Sequence, residues 1–407
     1  MIRVLFVDDE PAVLEGLENG LRRQRKRWQM EFVTRAREAI ERMEQNAYDV
    51  LITDMRMPEM DGNQLLEWAR LNQPEVVRIL LTGHAEKQQL LRALPAAHRI
   101  LLKPCEADTL EEAIDHGHHL RREITDPEVE SVVGGLDALP IPPEVHSTLL
   151  TLLEDPDVTS EQIADAVRHD VFATARILQV GNAAASGGDI ATVDAAIGCL
   201  GIEALRGLVL SHGLFDAMEP GLLFDGFSVE TLDRRSVLAS RLARRLLDDP
   251  AQQAIAQSAG LLHDLGQFVM AVYLPGRFRQ ARNLARVSDI ALPEAERRTF
   301  GTTHAEIAAF LLGRWNLPAK VVEAVRNHHQ PGRVSRTEFG AAGAVHVAAA
   351  LAERIVGGSF GPKDGMPLKP EPLDVEYLEA AGVAANIEQW EWAAVELADA
   401  ALPGVVS

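Results

Sequence analysis

YDVLITDMRMPEMDG, residues 48–62, decides how the first part of this chain folds. Its first half is a short apolar run of the kind that forms a strand buried on both faces, and it ends in Asp54. GNQLLEWARL, residues 62–71, then has helical spacing. The same unit recurs on either side. RVLFV (3–7) is a buried strand followed by an acidic cluster, and residues 12–22 are an amphipathic helix. MEFVTRA (30–36) predicts a second strand and AREAIERMEQ (36–45) a second helix. RILLTG (78–83) and HRILLKP (98–104) predict the fourth and fifth strands, and LEEAIDHGHHLRRE (110–123) the last helix. Strands alternating with helices imply an α/β doubly wound parallel sheet of five strands. Ligands of such sheets bind at the carboxyl ends of the strands. Every notable polar residue of this half falls there.

The chemistry follows from those positions. Asp8, Asp9 and Asp54 converge at the ends of the first and third strands. Three carboxylates that close repel one another, and a hard cation such as Mg2+ relieves the repulsion. The cation can also neutralise an incoming phosphoryl group. Thr82 ends the fourth strand with a hydroxyl, and Lys103 follows the fifth with a positive charge suited to a phosphate oxygen. A carboxylate in such a site can accept a phosphoryl group covalently.

VDDE (7–10), ITDMRMPEMDG (52–62), LTGH (81–84) and LLKP (101–104) together resemble the receiver domain of two-component response regulators, across residues 1–125. The resemblance implies that Asp54 is the phosphoacceptor and that Asp9 and Asp54 bind Mg2+. It implies a third ligand in the main-chain carbonyl of Arg56, with Asp8 acting partly through water. Thr82 and Lys103 would sense the phosphoryl group, and a sensor histidine kinase would supply it. One position departs from the pattern. Ile100 stands where many receivers carry an aromatic switch, three residues before the lysine.

TDPEVESVVGGLDALPIPPEV (125–145) holds a glycine pair and several prolines. It reads as a linker over residues 126–138 and the natural hinge. Everything after it is helical in pattern, with proline-initiated and Ser/Thr-capped starts and apolar spacings of three and four. This half is expected to be an all-α domain over residues 139–335, with a helical extension over 336–407. GGSFGPKDGMPLKPEP (357–372) is expected to be a loop within the extension. In its last helix Trp390 and Trp392 are two apart and cannot share one face. One is expected in the core and the other at the surface.

GLLHDLGQ (260–267) places a neutral imidazole beside a hard carboxylate, His263 and Asp264, a pairing suited to a divalent metal. His304 follows in GTTHAEIAAFLLGRWNLP (301–318), and His328 and His329 in NHHQP (327–331). With LPIPPEV (139–145), AVRHDVFATARILQVGNAA (166–184) and AAIGCLGIEALRGLVL (195–210), the series resembles the HDOD domain, a relative of the HD phosphohydrolases. The resemblance implies an upstream histidine and a downstream aspartate in a working metal site. Arg235 stands at the first place and alanine, around Ala349, at the second; Glu353 is a candidate stand-in. An arginine cannot ligate a metal and puts a fixed positive charge where the cation belongs. The five remaining residues, His263, Asp264, His304, His328 and His329, could hold one metal or a phosphate-rich ligand. The alternative is a buried polar network in which Arg235 pairs with Asp264 in place of the metal's charge. The second is favoured, and hydrolysis is disfavoured. The tail after HHQP also lacks the Gly-Tyr-Pro run of the cyclic di-GMP phosphodiesterase relatives.

Composition narrows the function further. The formal charge of -20 over 407 residues argues against general affinity for nucleic acid or anionic lipid. The densest basic run, residues 22–27, reads as a solvated helix end. Two isolated cysteines, Cys105 and Cys199, fit a reducing cytoplasm. The N-terminus is charged too early for a signal peptide, and the longest apolar run is too short to span a bilayer. The sequence predicts a cytoplasmic response regulator whose HDOD domain binds a protein partner; a homodimer stays open. The rival is a metal-dependent HD-type phosphohydrolase or cyclic-nucleotide phosphodiesterase controlled by the receiver. A DNA-binding regulator is disfavoured for want of a basic recognition helix.

Overall fold

A computed structural model describes residues 1–83, 96–119, 126–137, 139–185, 190–210, 227–357 and 368–401. Residues 84–95, between the fourth and fifth strands, lie outside the described residues, as does most of the loop expected at 357–372. The first half is a parallel sheet in the order β2-β1-β3-β4-β5, the doubly wound arrangement expected. Its strands are β1 (Ile2–Val7), β2 (Trp28–Val33), β3 (Val50–Asp54), β4 (Val77–Thr82) and β5 (Arg99–Leu102). Helices α1 (Pro11–Gly20), α2 (Ala36–Gln45), α3 (Gly62–Asn72) and α4 (Ala107–His119) accompany it. The basic run after α1 is a 3-10 turn, Arg22–Lys26, in which Arg25 pairs with Glu18, and Arg27 just after it pairs with Asp115, both at 2.7 Å.

Alternation along the strands sends side chains to two different cores. Val4, Phe6, Val50, Ile52, Ile79 and Leu81 fill one, closed by α1 and α4. Leu5, Leu51, Leu80 and Ile100 point the other way, into an apolar cluster that continues through the whole helical half. At the turn into α3, a Cβ on Gly62 would lie 2.0 Å from the carbonyl oxygen of Asp54. Only glycine lets the chain turn back so close to the end of β3.

The segment expected to be a linker is different. Residues Pro127–Gly134 form a helix, α5, capped by Asp126, whose side chain accepts from the amides of Glu128 and Val129. Val129 and Val133 are fully buried. Arg277 of the helical half binds the Asp126 carboxylate at 2.7 Å. Asp-Pro is a helix start, and valines four apart make one apolar face, so the prolines and glycines that suggested a hinge instead bound a packed helix.

After it the described residues form helices throughout. Those that build the later argument are α6 (Pro143–Glu154), α7 (Ser160–Val167), α8 (Val171–Ala184), α9 (Val193–Leu200), α10 (Ile202–Leu210), α11 (Val229–Arg245), α12 (Pro250–Leu262) and α13 (Leu265–Tyr273). They continue with α14 (Pro275–Ser288), α15 (Leu292–Phe300), α16 (His304–Arg314), α17 (Ala319–Arg326), α18 (Ala341–Val356), α19 (Val375–Ala380) and α20 (Ile387–Ala401). Thr159 and Gln162 form a capping box at the start of α7. In α20, Trp390 is buried and stacks on Phe339 with centroids 5.0 Å apart, while Trp392 is 80% exposed. Among the described residues no helix is long and apolar enough to cross a membrane.

The two halves meet at the amino-terminal ends of β4 and β5, away from the acidic cluster. Arg78 on β4 is wholly buried. It donates to the carbonyls of Ala96 (2.7 Å) and Pro74 (3.1 Å), and pairs closely with Asp137, just beyond α5. Arg314, from the end of α16, reaches the carbonyls of Pro74 and Glu75. Gln179 on α8 donates to the carbonyl of Asp137 at 2.7 Å, and Trp315 to that of Leu136 at 3.2 Å. Buried guanidiniums on backbone carbonyls and one carboxylate make a specific joint rather than a loose contact.

His98 sits inside that joint. Its Nδ1 accepts from the amide of Arg78 at 2.9 Å, and its Nε2 lies 3.4 Å from Asp137 and 3.1 Å from Arg314 Nε. Burial, and then the neighbouring Arg314 and Arg78, hold the imidazole well below its usual value of 6.5. The folded protein therefore binds fewer protons here than the unfolded chain. His98 contributes stability that is full above pH 6.5 and is lost as the pH falls below it. Burial pushes Asp170 up to about 7 and Asp233 up to about 6, and those carboxyls act in the opposite direction. The difference between wild type and His98→Gln isolates the histidine. Urea midpoints between pH 7.5 and 5.5, a span chosen as roughly one unit either side of a free histidine, should fall less steeply for the variant. Equal slopes would deny His98 this role.

Candidate functional site

The carboxyl ends of β1, β3, β4 and β5 bring the sequence-predicted residues together. Asp8 follows β1, Asp54 ends β3, Thr82 ends β4 and Lys103 follows β5. Asp8, Asp54 and Thr82 are buried; Asp9 is partly exposed and Arg56 exposed. The Lys103 ammonium lies 2.6 Å from Asp8 Oδ2 and in close contact with Asp54 Oδ1. Burial opposes its charge, but hydrogen bonds to Asp54 and Asp8 leave its pKa raised. The Arg56 amide donates to Asp54 Oδ2 at 2.6 Å, and the Glu10 amide to Asp8 Oδ1 at 3.0 Å. Asp54 is thus held by a main-chain donor on one oxygen and a cation on the other. Carboxylates and a lysine around one acceptor oxygen suit a hard cation and phosphoryl chemistry.

A second cluster lies in the helical half. His263 ends α12 and Asp264 opens α13, so the pair sits in a break between two helices. The glycine of HDLGQ has a steric reason: a Cβ on Gly266 would lie 2.0 Å from the carbonyl oxygen of His304, the first residue of α16. That close approach brings His304 to Asp264, with Nε2 3.3 Å from Oδ1. His263 Nε2 lies 2.9 Å from Asp264 Oδ2.

Arg235, on α11, is 3% exposed and pairs closely with Asp264. Gln267 bridges them, accepting from Arg235 at 3.2 Å and donating to Asp264 at 2.7 Å. Burial alone would raise the Asp264 pKa; Arg235 and His263 outweigh it and hold the carboxyl well below the usual range. Glu353 on α18 stands 4.0 Å from Arg235, and Ala349 lines the same cavity. The guanidinium thus occupies the flank of Asp264 that a metal would need. A metal shared by His263 and Asp264 does not fit these residues.

His328 and His329 follow α17 and face His304. His329 Nε2 lies 3.0 Å from His304 Nε2. Two carboxylates that the sequence reading did not single out hold these rings. Glu296 on α15, fully buried, accepts from His304 Nδ1 at 2.8 Å and from its amide at 2.9 Å. Glu371 closes on His329 Nδ1. Burial lowers His304, but Glu296 and Asp264 together push it up to about 10. Burial and the neighbouring rings push His328 and His329 well below 6.5. Burial raises Glu371 to about 7. Glu296 gave no signal because it sits in the charged run PEAERR, and Glu371 because it lies in a proline-rich stretch without periodicity.

The residues around Glu371 act as a strap. The Glu371 amide donates to Glu353 at 3.2 Å, the Asp374 amide to His346 Nε2 at 2.9 Å, and Lys369 pairs with Asp289 at 3.1 Å. The cavity they cover is ≈ 30 Å³. That is room for a water or an ion, and far less than the roughly 300 Å³ at which small-molecule pockets begin.

Two families match the chain: the response regulator receiver domain over residues 4–115 and the HDOD domain over residues 139–331. A protein of Treponema pallidum described only as uncharacterized is 26% identical over 210 residues, 49% of this chain and 39% of that protein. The transcriptional regulatory protein GlrR of Escherichia coli is 33% identical over 113 residues, 28% of this chain and 25% of GlrR. This chain therefore spans well under half the length of these curated relatives. Among solved structures, the MmoQ response regulator of Methylococcus capsulatus is 23% identical, with a TM-score of 0.45, covering 62% of this chain and 98% of that one. Receiver domains generally use Mg2+ and pair with sensor histidine kinases. The chain is a receiver domain of the two-component response regulators followed by an HDOD domain.

Proposed function

We propose that this response regulator is phosphorylated on Asp54 and signals through an HDOD domain that binds a protein partner and does not hydrolyse a substrate. In the receiver, Asp9, Asp54 and the carbonyl of Arg56 would hold Mg2+, with Asp8 reached through water. A bound hard cation offsets the carboxylates' repulsion and the charge of the incoming phosphoryl group. Thr82 and Lys103 would then turn to that group, drawing Lys103 away from Asp8. The domain plan is a receiver over residues 1–125, an HDOD domain over 139–335 and an extension over 336–407.

The observation that carries the non-catalytic reading is the buried Arg235–Asp264 pair. It puts a fixed cation beside the carboxylate that a hydrolytic metal would need, and the strapped cavity leaves no space for a nucleotide. Signal transfer runs along β4 and β5, whose far ends hold Arg78 and His98 in the joint. Ile100 is buried in the apolar cluster shared by both halves, so no exposed aromatic has to flip. Treatment with a small phosphoryl donor and Mg2+ should add one phosphoryl group by intact mass, and Asp54→Asn should add none. Cyclic dinucleotides and aryl phosphates should remain intact with Mn2+ or Zn2+ present. Hydrolysis abolished by His263→Ala would overturn the reading.

A further inference from the structure

The helical extension carries a surface that neither site uses. α20 packs on α11 and α18. It turns Trp390, Ala394 and Ala398, spaced by four, into the core. Its other face carries Trp392, 80% exposed, and Val395, 39% exposed, one turn along. An indole left in water contributes nothing to the packing of this helix. Its apolar area stabilises only a complex in which a partner covers it.

The residues around Trp392 give that partner a charge. At about 100° per residue, Glu388, Glu396 and Asp399 lie within about 40° of Trp392 around the helix. All three are exposed. Glu396 meets Arg245 at 2.8 Å, but both side chains are open to water, where such a pair contributes little. Glu388 and Asp399 have no cationic partner among the described residues. Residues 370–407 contain eight aspartates and glutamates and no lysine or arginine. This acidic, Trp-centred face lies beyond residues 139–331, which match the HDOD family.

The sign of the charge decides between occupants. Nucleic acid and anionic lipid carry the same sign as this face and are repelled. A second copy, docking through the same face, would set these acids against one another. A segment with lysines or arginines beside an apolar groove satisfies both features: the groove takes the indole and the cations meet the carboxylates.

We propose that the outer face of α20 docks a basic, amphipathic segment of a partner protein, anchored by Trp392 with Val395 beside it. Glu388, Glu396 and Asp399 select the partner's charge. The proposal rests on the reading that the helical half binds a protein, and it names the surface and the chemistry of the partner. α20 is backed by α11 and α18, which carry Arg235 and Glu353. Docking therefore bears on the helices of the buried ion pair without entering its cavity.

The test uses the full chain and a defined probe: a fluorescein-labelled helical peptide of about 20 residues, with leucines on one face and lysines on the other. Two control peptides replace every lysine by glutamate, or every leucine by serine. Fluorescence anisotropy at physiological salt reads the affinities. The leucine–lysine peptide should bind, the glutamate peptide should not, and the serine peptide should bind at least about tenfold more weakly. Trp392→Ala should weaken the leucine–lysine peptide about 30-fold, the threshold of a hot-spot residue, and Trp392→Phe should keep most of the affinity. Glu388→Gln combined with Asp399→Asn should weaken binding and flatten its salt dependence. Val287→Ser, which removes a side chain 87% exposed elsewhere, should change nothing. Helical circular dichroism should be the same for all these variants, because each altered side chain is at the surface.

Absence of binding would overturn the proposal. So would binding that Trp392→Ala leaves as intact as Val287→Ser does, which is general attraction to an acidic chain. A wild-type dimer that Trp392→Ala converts to monomer in sedimentation would overturn it too, assigning the face to a second copy. The underlying reading fails by a different result: hydrolysis abolished by His263→Ala, whatever the peptides do.

Discussion

Replacing Arg235 with alanine should destabilise the helical domain by about 3–5 kcal/mol, the range for removing one partner of a buried ion pair. Both side chains of the Arg235–Asp264 pair are 4% exposed, so water cannot take the place of the lost guanidinium. The variant leaves Asp264 facing the neutral amide of Gln267 and two imidazoles. It also removes the cation nearest Glu353. Arg235→Ala with Asp264→Asn should recover part of the loss, because the second change removes the stranded charge. The recovery is the coupling that a double-mutant cycle measures. Urea unfolding followed by helical circular dichroism reads all three proteins. An Arg235→Ala effect within about 0.5 kcal/mol of zero, the size expected of a surface change, would mean the pair is not formed.

The second large effect belongs to the joint between the domains. Asp137→Ala should cost about 3 kcal/mol, at the low end of the same range because Asp137 is 18% exposed. Arg78, wholly buried, would keep its carbonyl partners but lose the carboxylate that balances its charge. Because Asp137 also receives Gln179 and Arg176 on its main-chain carbonyl, the backbone there stays tied when the side chain goes. The expected result is a looser joint in a protein whose domains still fold. Small-angle scattering should show a larger radius of gyration than wild type, with the urea midpoint lowered. An unchanged radius and midpoint would show that Asp137 does not hold the halves together.

Much of the receiver was legible in the sequence for a physical reason. Buried parallel strands read as short apolar runs, and the residue ending each run must lie at the carboxyl edge. Asp8, Asp54, Thr82 and Lys103 could therefore be placed in one site before any coordinates. The pairing of Arg235 with Asp264 was likewise an expectation, drawn from opposite charges at matching places in a family pattern. Other features depend on tertiary contact alone. Glu296 and Glu371 look like surface acids, and nothing local says that one will be fully buried against a histidine. The joint is still less visible, because Arg78 and His98 both read only as the polar starts of strands. Residues 127–134 misled for the opposite reason: proline and glycine usually interrupt helices, but here they bound one.

The central claim is that phosphorylation at one end of the sheet alters the joint at the other end and thereby the HDOD domain. Hydrogen–deuterium exchange on the full chain tests it most directly, with and without a beryllofluoride mimic of the phosphoryl group. Peptides carrying the Arg78 amide, which donates to His98, and those spanning Leu136 and Trp315 report the joint. Faster exchange there on adding the mimic, absent in Asp54→Asn, is the predicted result. Unchanged exchange at the joint, with clear protection around Asp54 and Lys103, would contradict the account: the receiver would sense phosphorylation without passing it to the HDOD domain.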